Sequence, residues 1–196
     1  MSIEKLFFIR HGETDLNREL RVQGKININL NETGRMQLES TAKKFEKIHL
    51  DSIYASPLVR AVESAEIIAE KKGLKVKTLD WLVEIDHGGL EGLNREEAEE
   101  KYPGLLDVWH NCPDEAVFPG GGETARDLAE RIKKGLLELI RSENGTVVLV
   151  THQVVTGTAK CLIEGIPLSQ LWKDKLINGD YLEFEITEER LKRMGF

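Results

Sequence analysis

Two short runs, Leu6–Ile9 and Thr146–Val150, are apolar almost without interruption rather than at alternate positions. A strand with one wet face alternates; a strand buried on both faces reads as a continuous run. Such strands need helices over both faces of their sheet, and the chain supplies amphipathic segments between short apolar runs. The fold class expected is therefore α/β around a mainly parallel sheet. A length of 196 residues suits one domain, spanning 1–196.

The remaining elements follow from local signals. Ser52–Ala55 predicts a weaker strand, and Tyr181–Ile186 a late strand near an edge. Ser56 is placed to cap a helix with Pro57 at its first position, where a missing N–H costs nothing. Leu58, Ala61, Val62, Ala65, Ile68 and Ala69 give that helix one apolar stripe, and Gly73 ends it. Thr124 with Asp127 forms a variant capping box for a longer helix. Leu38, Ala42 and Phe45 mark a helix after Asn31, and Val154–Ile163 a mostly buried one.

Function is concentrated where the two strongest strands stop. One runs into Arg10-His11-Gly12-Glu13-Thr14, the other into Thr151-His152-Gln153. Ligands of open α/β sheets bind beyond the carboxyl ends of the strands. Two parallel neighbouring strands would bring both imidazoles to one cleft. Arg60, in the first turns of the next helix, would add positive charge near an anion. The net charge of -7 argues against broad nucleic-acid binding. No apolar run reaches membrane-spanning length. Two distant cysteines, Cys112 and Cys161, fit reduced thiols and a cytoplasmic location. No metal-ligand spacing stands out: His110 and Cys112 lack further ligands, and His49 has no supporting context.

These blocks resemble the histidine phosphatase superfamily, the phosphoglycerate-mutase-like group. Arg10–Thr14 with Asn17 and Gln23-Gly24 is similar to its opening motif. Leu30–Gly34, Ser56–Ala61, Glu84–Gly92, Pro119–Thr124 and Val150–His152 resemble its later blocks, in the family's order. Two departures stand out: Gln153 where Gly usually follows the second histidine, and Ser64 where Thr is common. The resemblance implies a three-layer α/β/α sandwich, phosphoglycerate-mutase-like, with residues 94–122 as a cap-like insertion over the active site. Trp109, Tyr102 and Phe118 either line a pocket there or pack the cap.

What the resemblance implies chemically is a phosphomonoesterase acting on a small phosphorylated metabolite through a phosphohistidine on His11, without metal or cofactor. Arg10 and Arg60 would hold the phosphate oxygens. His152 would be a further phosphate ligand, stabilising negative charge if protonated. Glu84 would be the general acid, then the base for water; Asp86 and Glu91 are weaker candidates. Asn17 could donate to phosphate or substrate, and Gln23 and Gly24 would shape the pocket mouth. His87 either packs within its loop or faces substrate, and Gln153 either narrows the pocket or contacts substrate. Members of this size resemble α-ribazole, phosphoserine and broad-specificity phosphatases. The alternatives are a cofactor-dependent phosphoglycerate mutase and a non-catalytic phospho-ligand module. A homodimer is a candidate assembly, with Leu171-Trp172 and the late strand as its edge.

Overall fold

The structure, a computed structural model, describes residues 3–195. In chain order the elements are β1 (Ile3–Arg10), α1 (Asp15–Arg18), α2 (Glu32–Phe45), β2 (Ser52–Ala55), α3 (Val59–Lys72) and β3 (Val76–Thr78). There follow α4 (Arg95–Lys101), α5 (Leu105–Asn111), α6 (Ala125–Ser142), β4 (Gly145–Thr151), α7 (Gln153–Glu164), β5 (Tyr181–Glu185) and α8 (Glu188–Met194).

The five strands form one sheet in the order β3-β2-β4-β1-β5. All pairs are parallel except β1 with β5, so the late strand is an antiparallel edge strand. Alternate residues of the central strands feed opposite cores. Phe7, Ile9, Ile53, Val148 and Val150 pack with Leu38 and Phe45 of α2 and Ala61, Ala65 and Ile68 of α3. Leu6, Phe8, Val147 and Leu149 pack with Leu128, Ile132 and Leu136 of α6 and Val155 and Ala159 of α7. Both faces are covered, as the uninterrupted apolar runs require.

The caps explain most helix starts. Asn31 Oδ1 accepts from the N–H of Gly34, and Thr124 Oγ1 from that of Asp127. Gly73 closes α3 in the left-handed region at φ 63°. The expected cap at Ser56 is overturned. Pro57 and Leu58 stay outside the helix, Leu58 is the N-cap with an extended backbone, and α3 starts at Val59. The Ser56 hydroxyl faces His152 instead. Leu171-Trp172 does not form an exposed edge either. Leu171 is buried against Gly157, and Trp172 packs edge-on against Trp109 while its Nε1–H donates to the Trp109 carbonyl.

Candidate active site

The β1–β4 register pairs Arg10 with Thr151, so the next residues, His11 and His152, leave the sheet side by side. Their ring centroids lie 5.2 Å apart. In front of them opens a cleft of about 210 Å³. Arg10, His11, Asn17, Gln23, Gly24, Arg60, Glu84, His87 and Gln153 line this cleft, and His152 is fully buried behind it.

His11 Nδ1–H donates to the Gly12 carbonyl at 2.7 Å. A carbonyl can only accept, so this bond fixes the proton on Nδ1 and leaves a lone pair on Nε2. Arg60 Nε–H points at that lone pair from 3.3 Å. Burial holds the His11 pKa well below its usual value, and Arg60 and Arg10 push it further the same way. The ring is neutral, and among the described residues its unprotonated Nε2 is met only by the Arg60 Nε–H. Gly12 itself is clasped: its N–H donates to Ser64 Oγ, whose hydroxyl donates to the Arg60 carbonyl. Serine therefore serves where the family motif has threonine.

Arg60 is fully buried and held by two carbonyls, Ile26 O on Nη1 and Gly24 O on Nη2. Each Nη keeps a second N–H for an anion. Burial lowers its pKa to about 10, still charged at neutral pH. Gly24 stands at φ 49°, and a Cβ there would run into the Glu91 carboxylate, so its contribution is made by its backbone. Arg10 donates from Nη1 to the Leu176 carbonyl at 2.6 Å, and its buried Nε has no partner. Gln153 Oε1 accepts weakly from Arg10 Nη1 at 3.5 Å, while its buried Nε2 is unpartnered. Unpaired buried donors are costly, and these sit where an oxyanion would satisfy them.

His152 is held towards its neutral form. Burial, followed by Arg60 and His11, holds its pKa well below the usual value. Ser56 Oγ accepts from the Leu58 N–H and lies 2.8 Å from His152 Nε2, and His152 Nδ1 is unpartnered. A neutral ring with Ser56 donating to Nε2 carries its proton on Nδ1, so His152 can serve as a neutral donor.

Glu84 is buried. Its Oε1 accepts from the Ile85 N–H, and its Oε2 from the Val154 N–H in the first turn of α7. Its pKa is raised, because burial outweighs those bonds and the two arginines. Asp86 and Glu91 are spent on the loop: Asp86 accepts from Gly88 N–H and Lys25, Glu91 from the N–H groups of Lys25 and His87. His87 is packed and also lines the cleft: its ring meets Trp109 and Phe118 edge-on, its Nδ1 is unpartnered, and burial lowers its pKa to about 4. Thr14 is the neighbour shared by Asn17 and Gln23; its hydroxyl lies 2.9 Å from Gln23 Oε1, and its N–H donates to Asn17 Oδ1.

The outer wall contains residues the sequence did not single out as lining. Leu106 and His110 reach the cleft together with Trp109, and Arg21 and Trp172 complete that side. Spacing by three and four residues puts Leu106, Trp109 and His110 on one face of α5, the signal that was available. Tyr102 and Phe118 are not in the wall and pack behind it. Among the described residues no group of three His, Cys, Asp or Glu side chains is arranged to hold a metal ion.

Comparison with known proteins agrees with this geometry. The chain is 38% identical over 188 residues to phosphoserine phosphatase 1 of Hydrogenobacter thermophilus, covering 95% of this chain and 88% of that one. It is 30% identical to the glucosyl-3-phosphoglycerate phosphatase of Mycobacterium tuberculosis, covering 86% and 79%. The solved structure of the mycobacterial glucosyl-3-phosphoglycerate phosphatase in complex with VO3 superimposes with a TM-score of 0.88 at 27% identity, over 95% of this chain and 93% of that chain. Residues 6–194 match the family model of the histidine phosphatase superfamily, branch 1, and the chain belongs to that superfamily.

Proposed function

We propose that the chain hydrolyses a small phosphorylated metabolite, without metal or cofactor, through a phosphohistidine on His11. The observation that carries this reading is the His11 tautomer: Nδ1–H tied to Gly12 O, and Nε2 unprotonated in a cleft with Arg10 and Arg60. The arginines hold the equatorial phosphate oxygens with charge-assisted bonds. Nε2 attacks phosphorus in line and the P–O bond to the leaving group breaks. Glu84, whose pKa burial raises, gives a proton to the departing oxygen. Its carboxylate then takes a proton from water, which attacks the phosphohistidine and frees inorganic phosphate and His11. His152 contributes a neutral donor to the phosphoryl oxygens, and Asn17 and Gln153 contribute amides.

Residues 94–122 serve as a cap over this chemistry, supported by Leu106, Trp109 and His110 at the cleft wall. The small cleft and the two relatives' names support a compact, carboxylate-bearing phosphomonoester such as phosphoserine. Its site of action is the cytoplasm, in keeping with two free cysteines; among the described residues no helix is long and apolar enough to cross a membrane. A homodimer would pair through the outer edge of β5, the edge strand next to β1.

The test is phosphate release from phosphoserine, a phosphoglycerate, α-ribazole phosphate and an aryl phosphate, in the presence of a chelator, by wild type and His11→Ala. Release by wild type and none by the variant is expected. Interconversion of phosphoglycerates without phosphate release would replace hydrolase with mutase.

A further inference from the structure

Asn17 helps only if its amide turns its NH2 group, and not its oxygen, towards the phosphate. The structure decides this through a residue that does not line the cleft, Asn178, in the connection between α7 and β5. Asn178 Nδ2 lies 3.0 Å from the His11 carbonyl and 3.1 Å from Asn17 Oδ1. A backbone carbonyl can only accept, so the group of Asn178 facing His11 must be its NH2. That NH2 has two hydrogens, one for each neighbour. The atom of Asn17 that meets the second hydrogen must then be its oxygen. The N–H of Thr14 donates to that oxygen as well, at 3.2 Å. With Oδ1 held from two sides by N–H donors, a flipped Asn17 would press NH2 against NH2. Its own Nδ2 is left to face the cleft that Asn17 lines.

The connection is itself anchored at both ends of this contact. Gly179 N–H donates to the carbonyls of Arg10 and His11, Thr41 Oγ–H donates to the Gly179 carbonyl, and the Leu176 carbonyl accepts from Arg10. Upstream, Asp174 is paired with Lys160 of α7. One short segment thus touches the phosphate-binding arginine, the backbone of the nucleophile and Asn17.

We propose that Asn178 is a positioning residue for phosphate binding. It sets the amide orientation of Asn17, with the His11 carbonyl fixing which of its own amide atoms faces Asn17, and does so without touching substrate. The proposal rests on the phosphatase reading above, because it presumes that a phosphoryl group occupies the cleft.

The experiment compares Asn178→Ala, Asn178→Asp, Asn17→Ala and the Asn17→Ala/Asn178→Ala double variant. Readouts are kcat and KM on an aryl phosphate, calorimetric binding of inorganic phosphate, and the melting temperature. Loss of the bridge in Asn178→Ala should lower kcat/KM and phosphate affinity about tenfold. Asn178→Asp keeps the shape but replaces the donor with an acceptor facing two acceptors. It should fall lower than Ala, by about a hundredfold. In the Asn17→Ala background most of the Asn178→Ala loss should vanish, since the two act together. A merely structural asparagine gives the opposite order, with the isosteric Asp milder than Ala and losses that follow the melting temperature and add to those of Asn17→Ala. That result overturns the proposal. Should the Asp variant not fold, additivity in the Ala cycle overturns it alone. Phosphate binding that depends on Asn178 in a wild type that turns over no phosphomonoester would sink the hydrolase reading and keep Asn178. A wild type that binds no phosphate sinks both.

Discussion

Glu84 is pulled in two directions. Burial raises its pKa; the N–H groups of Ile85 and Val154, then Arg60 and Arg10, lower it, and burial prevails. A carboxyl in that position can be an acid in one half-reaction and a base in the next. The two roles separate in Glu84→Gln, which keeps the size but carries no acidic proton. On an alkyl phosphomonoester, whose leaving oxygen needs a proton, kcat should drop about 10²–10⁴-fold. On p-nitrophenyl phosphate the leaving group departs unaided, so His11 should still be phosphorylated while water attack stalls. Rapid mixing should show a burst of nitrophenolate followed by a slow steady state. An unaltered steady-state rate on the alkyl ester would remove Glu84 from the reaction.

Among the elements, the register of β1 against β4 brings the two histidines together, and the flanking helices hold that register. Gly135 shows how tightly. It lies in the middle of α6, where alanine would be favoured by about 1 kcal/mol on helix propensity alone. Yet a Cβ there would run into the indole of Trp81, whose carbonyl also accepts from Arg131. Gly135→Ala should therefore destabilise, by about 1–3 kcal/mol of overpacking, in a urea titration; a stabilised variant would show that Trp81 moves freely. The sequence carried much at this scale. Continuous apolar runs marked β1 and β4, the Thr124/Asp127 capping box gave the start of α6, and the strand ends gave the histidines. Short-range signals misled where a side chain was claimed from afar. Ser56 reads as a cap, but its hydroxyl meets His152, 96 residues on. Leu171-Trp172 reads as an outer edge, yet Trp172 belongs to the cleft wall beside His110, a residue with no local context of its own. β3 carries no strand signal in the sequence because Val76 is its one apolar residue. The Asn178 bridge joins segments more than 160 residues apart, beyond any local pattern.

For the molecule as a whole, the site makes stability depend on pH. His11, His87 and His152 all have pKa values lowered chiefly by burial, His87 to about 4. The unfolded chain takes up protons at each histidine near pH 6.5, before the folded chain does. Stability is therefore full above about pH 6.5 and declines as the pH falls from there towards the folded values. Glu84 has the opposite sign: its raised pKa lets the folded state bind a proton first, so acidification returns some stability. One such group against three histidines leaves a net loss between pH 6.5 and 4. His87 can be removed from this balance without touching the nucleophile. His87→Phe keeps a ring against Trp109 and Phe118 and abolishes the titration. Urea unfolding at pH 8 and pH 5 should show wild type losing about 2 kcal/mol more than the variant over that interval. Parallel losses would mean that His87 is protonated in the folded state at pH 5 and that its pocket is wetter than its burial implies. The same burial keeps Nε2 of His11 free to attack, so the acid sensitivity of the fold and the readiness of the nucleophile have one physical origin.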